Sequence, residues 1–342
     1  CQKRRALHQF LYVDALTGAA SYAKFCVEVR KCLDRRCGKW AFVAMDIHQF
    51  KLVNTLFGQE KGDETLRFVS RVWERTLHKD EVFGRRHGDN FEILMRYDTV
   101  DELCRRLDDI CHSIINERPH VHQTEVFLIL PVMGIYLIRD FSEDILDMQN
   151  NARLACATIK ERNDIHYAFF NDELKEKQLH DKRLGDGMEL AIENNEFMVY
   201  YQPKVDPVDD KVVGAEALIR WRRPDGSFVP PAVFIPLAEH NGLISELDRF
   251  TFRQVCRQQR QWSDDGYALV PVSVNLSRVL LYSQGLPEEY ARIAEENRIP
   301  SQNLQLEITE SEDCENMAFF ASAVQRFHDY GFRILMDDFG TG

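Results

Sequence analysis

Apolar residues recur along the first half of the chain in two alternating rhythms. Spacings of three and four mark helices over residues 22–33, 60–77, 100–117 and 142–160, and short apolar runs mark strands over 41–47, 91–95, 126–138 and 166–170. This alternation predicts an α/β domain. Ahead of it, residues 1–13 are basic and amphipathic and read as the end of an upstream linker helix, with Asp14 and Thr17 of the DALTG stretch placed to cap the helix that follows. The stretch 171–186 (NDELKEKQLHDKRLGD) has no sustained apolar face until Leu184. It reads as an interdomain helix, the other reading being a surface helix of one domain.

Beyond it, strands are predicted over 199–205, 212–221, 272–276, 304–308 and 333–336, with helices over 247–262, 287–297 and 314–330 separating the later ones. Repeated β/α alternation predicts parallel crossovers in a barrel or doubly wound sheet. The first two strands are joined by residues 206–211 alone, too short for a parallel crossover, so they are expected to be antiparallel. A complete β/α barrel takes about 250 residues. Residues 180–342 number 163, so an incomplete barrel is expected, with exposed sheet edges, low solubility or partial disorder of the second half, and no turnover by this polypeptide on its own.

Composition narrows the function. With 43 Lys and Arg against 55 Asp and Glu, a formal charge of -12, the chain is a poor nonspecific ligand for a nucleic-acid backbone. An anionic substrate would need metal ions beside it. Nine cysteines without a CxxC pair read as reduced thiols, so the expected location is cytoplasmic. The run 126–138 is broken by Pro131 and Gly134 and is too short for ~30 Å of hydrocarbon, so no membrane segment is expected within the chain. It opens on Cys1 rather than Met, both ends read as cut, and an upstream sensor or anchor stays open.

The chemistry sits where polar residues interrupt or end apolar strands: Glu216 in VVGAEALIRW, Asn275 in PVSVNLS, Glu307 in LQLEITE, and Asp337 with Asp338 in RILMDDFG. A carboxylate among aliphatic side chains costs several kcal/mol unless a cation or donor meets it. Any one of them alone would read as a solvated or capping residue; the set reads as convergence on metal. All are oxygen donors, which selects Mg²⁺, Mn²⁺ or Ca²⁺ over zinc. Adjacent Asp337 and Asp338 cannot both point inward from a regular strand, so the second is expected to serve another ion. Two ions would clamp a phosphodiester and activate water.

In order, YYQPKV, GAEALIRW, FIPLAE, SVNLS, LEITES and DDFGTG resemble the EAL family of cyclic di-GMP phosphodiesterases over about residues 185–342. The resemblance implies hydrolysis of cyclic di-GMP to linear pGpG with two Mg²⁺ or Mn²⁺ ions. It places the metal ligands at Glu216, Asn275, Glu307, Asp337 and Asp338, with Glu216, Asp337 and Asp338 catalytic. Gln202 and Arg220 match contacts to the dinucleotide, and Glu310 matches a glutamate that organises the loop after DDFGTG and couples it to a homodimer. The family's later lysine, glutamate and glutamine would lie past residue 342. The alternative is an inactive cyclic di-GMP receptor or scaffold.

The first half places Asp46 near the end of a strand and His87-Gly88-Asp89 in a tight turn between an arginine pair and an apolar strand. Such a turn could hold a nucleotide phosphate; a plain hairpin is the other reading. With DALTG, Asn54 and Asp63, residues 14–172 resemble the GGDEF diguanylate cyclase family, with 173–184 as the linking helix and 185–342 as the EAL-type domain. The signature reads His87-Gly88-Asp89-Asn90-Phe91, so a glycine and a glutamate of the pattern are replaced. Asp46 and Asp89 remain as possible metal ligands, and Asn54 and Asp63 match guanine contacts. His78 and Glu81 stand where an inhibitory RxxD is usual. The resemblance implies a degenerate domain without cyclase activity, serving as a GTP-binding or regulatory module.

Overall fold

The computed structural model describes residues 11–117, 128–160, 162, 164–281, 283, 285–309 and 317–337. The chain divides into two compact units, Cys1–Gln178 and Leu179–Gly342, each built on its own six-stranded sheet.

In the first unit the strands are β1 (Ala20–Ser21), β2 (Lys39–Ile47), β3 (Val82–His87), β4 (Asn90–Tyr97), β5 (Pro131–Leu137) and β6 (Tyr167–Phe169), in the order β1-β3-β4-β2-β5-β6. The helices are α1 (Tyr22–Leu33), α2 (Phe50–Phe57), α3 (Gln59–Thr76), α4 (Val100–Asn116) and α5 (Ile145–Ala157). Central β2 is apolar from Trp40 to Met45 because both of its faces are covered. Ala41, Val43 and Met45 join one core with residues of α3 and α4, while Trp40, Phe42 and Ala44 join another with residues of α1 and α5. Burial of these side chains contributes about 1.5–3 kcal/mol for each large one. Helix α5 lies so close to β5 that a Cβ on Gly134 would stand 1.8 Å from the Ala152 carbonyl oxygen.

Local chemistry moved several expected boundaries. Asp14 and Thr17 do not cap α1. Ser21 does, accepting from the Lys24 amide at 3.4 Å. Asp14 instead closes its own turn, accepting from the Thr17 amide at 2.9 Å and the Thr17 hydroxyl at 2.7 Å, and Gly18 completes it with φ +73°. Helix α5 starts at Ile145, where Asp144 caps it, because Asp140 ties Ser142 into a preceding turn. Helix α2 buries only Phe50 and Val53, too short a stripe to register as a period. Strand β5 begins at Pro131, a position without an amide hydrogen to pair; residues 118–127 lie outside those described.

Helix α6 (Asp172–Glu193) contains the division between the units and buries Leu184, Met188 and Ala191. Then follow β7 (Phe197–Val205), β8 (Val212–Arg222), β9 (Phe228–Val229), α7 (Pro231–His240), α8 (Ile244–Asp264), β10 (Val272–Asn275), α9 (Arg278–Leu281), α10 (Leu286–Glu296), β11 (Leu304–Thr309), α11 (Met317–Asp329) and β12 (Arg333–Asp337). The sheet runs open in the order β12-β11-β10-β8-β7, with β9 beside β8. As the short link requires, β7 and β8 are antiparallel; β8, β10, β11 and β12 are parallel. Their helices cover one face, where Phe252 stacks on Tyr290 at 3.9 Å. Helix α7, with Pro at its first position and Pro236 inside, carries the FIPLAE stretch that periodicity did not reveal as helix. No helix among the described residues is long and apolar enough to cross a membrane.

Candidate functional site

Parallel pairing brings together residues that are far apart in sequence. Asn275, the last residue of β10, is the register partner of Glu307 on β11, and Ser273 is that of Glu216 on β8. Asn275 Nδ2 donates to Glu216 Oε1 at 3.2 Å. Glu307 is 7% exposed, Glu216 is half-buried and Asn275 is exposed, so the group grades from the interior outward. Asn275 and Glu307 line a cavity of about 470 Å³ together with Arg220, Glu239, Asp248 and Ser277.

Gln202 on β7 is exposed and pairs in register with Glu216. Arg220 donates from Nη1 to the Ile219 carbonyl at 2.9 Å, and its guanidinium lies 6.0 Å from the Tyr200 ring centre. Asp337 closes β12, its backbone paired with Thr309 and two positions past the Glu307 partner Leu335. The Asp337 side chain, Asp338 and Glu310 lie outside the described residues. Asp248 Oδ2 accepts from the Ser277 amide at 2.8 Å. Burial lifts this carboxyl from 3.8 to about 6, against the Ser277 hydrogen bond.

Glu216, Asn275 and Glu307 offer oxygen alone, a donor set that fits a hard divalent cation. Among the described residues, no group of three or more His, Cys, Asp or Glu side chains gathers as a metal cluster. Two acids and one amide do gather here.

In the first unit, Asp46 near the end of β2 is held from both sides: Asn90 Nδ2 donates to Oδ1 at 2.7 Å and Lys160 Nζ to Oδ2 at 3.2 Å. Asp89 Oδ2 accepts from the Ile47 amide at 3.1 Å. Burial, and secondarily the Asp46 charge, push the Asp89 carboxyl above its usual range. These two carboxylates are neighbours, and each Asp46 oxygen already accepts one hydrogen bond.

His87 is exposed beside Gly88. The arginine pair is committed elsewhere. Arg85 Nη1 binds Asp14 Oδ1 at 3.0 Å and its Nε the Gly88 carbonyl at 2.8 Å, while Arg86 lies 5.0 Å over the Tyr22 ring. Asn54 on α2 packs against Gly62, next to Asp63, so closely that a Cβ at 62 would stand 1.9 Å from Asn54 Oδ1. The Glu81 side chain is fully buried. It takes both Arg106 nitrogens at 2.8 and 2.7 Å, the Arg96 amide at 2.9 Å and the His78 amide at 2.7 Å.

Residues 187–342 match the family model for the EAL domain, and residues 11–165 match that for the diguanylate cyclase GGDEF domain. The chain carries a GGDEF domain followed by an EAL domain. Signaling protein YkoW of Bacillus subtilis is 29% identical over 345 residues, covering 99% of this chain and 42% of that protein. Cyclic di-GMP phosphodiesterase PdeR of Escherichia coli is 31% identical over 304 residues, covering 89% of this chain and 45% of PdeR. The chain thus spans less than half the length of either relative. The S helix-GGDEF-EAL region of Vibrio cholerae LapD, solved with cyclic di-GMP bound, shares the fold at a TM-score of 0.61 and 18% identity, over 100% of this chain and 80% of that one.

Sequence patterning missed Lys204, Asp248 and Ser277 of the EAL domain and Arg106 and Lys160 of the GGDEF domain. Lys204 stands inside the quoted YYQPKV stretch, so its signal was present; what it touches was not. Asp248 is an acid on the buried face of α8, a break in the apolar stripe that could have been noticed.

Proposed function

We propose that the EAL domain hydrolyses cyclic di-GMP to linear pGpG, and that the GGDEF domain makes no cyclic di-GMP but binds GTP and regulates its neighbour. The reading is carried by the meeting of Asn275 and Glu216 at 3.2 Å, beside buried Glu307 in a cavity that also holds Arg220. It is supported by the name of PdeR, a cyclic di-GMP phosphodiesterase, and by the dinucleotide in the LapD structure.

Glu216, Asn275, Glu307, Asp337 and Asp338 would hold Mg²⁺ or Mn²⁺. Such ions, when bound, neutralise phosphodiester charge and acidify water. Arg220 would meet a phosphate with its fork of donors, and the Gln202 amide would hold the dinucleotide in register. Glu310 would organise the loop after DDFGTG and link it to a homodimer. In the reaction the water oxygen bonds to phosphorus and the P–O3′ bond breaks, leaving a 5′-phosphate and a 3′-hydroxyl. On the GGDEF side, the loss of cyclase activity is supported by Asn90, an uncharged amide where the family pattern has a glutamate, which donates to Asp46 at 2.7 Å.

The test uses the full-length protein with cyclic di-GMP and Mn²⁺, products being separated by chromatography. The linear dinucleotide is expected, and is expected to vanish in Glu216→Ala and Asp337→Ala. Tight calorimetric binding with no linear product would instead make the protein a receptor. Conversion of GTP to cyclic di-GMP above background would overturn the reading of the GGDEF domain.

A further inference from the structure

Lys204 lies on β7, the edge strand, yet its ammonium reaches across β8 to β10 and β11. Nζ donates to Ser273 Oγ at 2.8 Å and to Glu307 Oε1 at 2.5 Å. The path is open because the β8 residue in register with Lys204 is Gly214. A Cβ there would stand 3.9 Å from Lys204 Cβ and 3.0 Å from the Pro271 carbonyl oxygen, so the lysine stem runs where a side chain would otherwise project. Both partners are built into the core: Ser273 is fully buried and also reaches the Ala215 carbonyl at 3.4 Å, and Glu307 is 7% exposed.

We propose that Lys204 is a positioning residue of the hydrolytic site: it holds Glu307 by one carboxylate oxygen and leaves the other turned to a divalent cation in the cavity. This rests on the metal-dependent reading of the EAL domain. A buried carboxylate is free to rotate about its terminal bond unless something holds it, and its charge needs compensation at the moment the cation is absent. Lys204 supplies both. Gln202, two residues earlier on the same face of β7, is the register partner of Glu216, so one strand carries a candidate dinucleotide contact and the support of a candidate metal ligand. Anchoring by Ser273 distinguishes a fixed support from a plug, since an ammonium held from both sides stays when the cation arrives. Removing partners of this kind costs roughly tenfold to a hundredfold in metal affinity.

The experiment is a Mn²⁺ titration of the full-length protein, free Mn²⁺ being followed by electron paramagnetic resonance, alongside metal-free thermal melts. Lys204→Met is expected to weaken Mn²⁺ binding about tenfold or more, and Ser273→Ala to weaken it less in the same direction. In turnover, kcat is expected to fall and the Mn²⁺ requirement to rise with the KM for dinucleotide unchanged. Unchanged or tighter Mn²⁺ binding in Lys204→Met, whatever happens to its melting temperature, overturns the proposal. If Lys204→Met does not fold, Ser273→Ala decides by the same criterion. Glu216→Ala marks the underlying site: if it binds Mn²⁺ as the parent does, the metal reading itself fails.

Discussion

Arg153 on α5 holds Glu92 on β4. The guanidinium Nη2 stands 2.6 Å from Glu92 Oε1, Gln149 Nε2 reaches the same oxygen at 2.6 Å, and the Tyr22 hydroxyl binds Gln149 Oε1 at 2.7 Å. Glu92 is wholly buried, and Oε2 has no hydrogen-bond partner. The charge absent at Asn90 is present again two residues on, on the same face of β4 but inside the domain.

Arg153→Met is therefore expected to destabilise the GGDEF domain by about 3 kcal/mol at pH 7, the scale for stranding a buried charge. Burial already lifts the Glu92 carboxyl above its usual range. A raised folded-state value means the folded form takes up the proton first, so stability is lost as pH rises and the defect should shrink at pH 5. Urea unfolding at the two pH values checks both, and adding Glu92→Gln should recover much of the loss.

Asp248 makes a comparable prediction in the EAL domain. Its carboxyl moves from 3.8 to about 6 on folding, worth about 3 kcal/mol of stability present at low pH and lost as pH rises through that window. Asp248→Asn removes the ionisation and keeps an acceptor for the Ser277 amide. The variant should gain stability over the parent at pH 7.5 and show no gain at pH 4, measured as the difference between their melts.

Glu81 is saturated by Arg106 and two backbone amides, so no carboxylate there is free for a ligand. Calorimetry of cyclic di-GMP should give one dinucleotide per chain, bound at the EAL domain. A larger stoichiometry that disappears in Glu81→Ala would contradict this.

A side chain at Gly62 would collide with the Asn54 amide, because a Cβ would stand 1.9 Å from Asn54 Oδ1. Gly62→Ala must turn the Asn54 amide away, and GTP affinity should fall about tenfold, the worth of one good hydrogen bond. A fluorescent GTP analogue titrated against the parent and the variant measures it.

Much of this was legible in local pattern. Helix α1 lies over the residues its periodicity marks, and the antiparallel β7–β8 pair follows from a link too short for a crossover. Placing Glu216, Asn275 and Glu307 near one another required only that successive strands be parallel. The failures were of two kinds. Asp14 and Thr17 could cap a helix, but a turn closing on itself and on Arg85 used the same atoms. Helix α2 buries too few residues to show a period.

What the sequence by itself determined was the element order, the two domain types and the candidate ligands, because periods, turns and motif spacing are local properties of a chain. Only the tertiary structure decided which charges meet. Lys204 with Glu307, Glu81 with Arg106, and Glu92 with Arg153 are pairs set by strand order, register and a missing Cβ at Gly214. A charge in a sequence has many possible partners, and burial selects among them by making every unmatched choice costly.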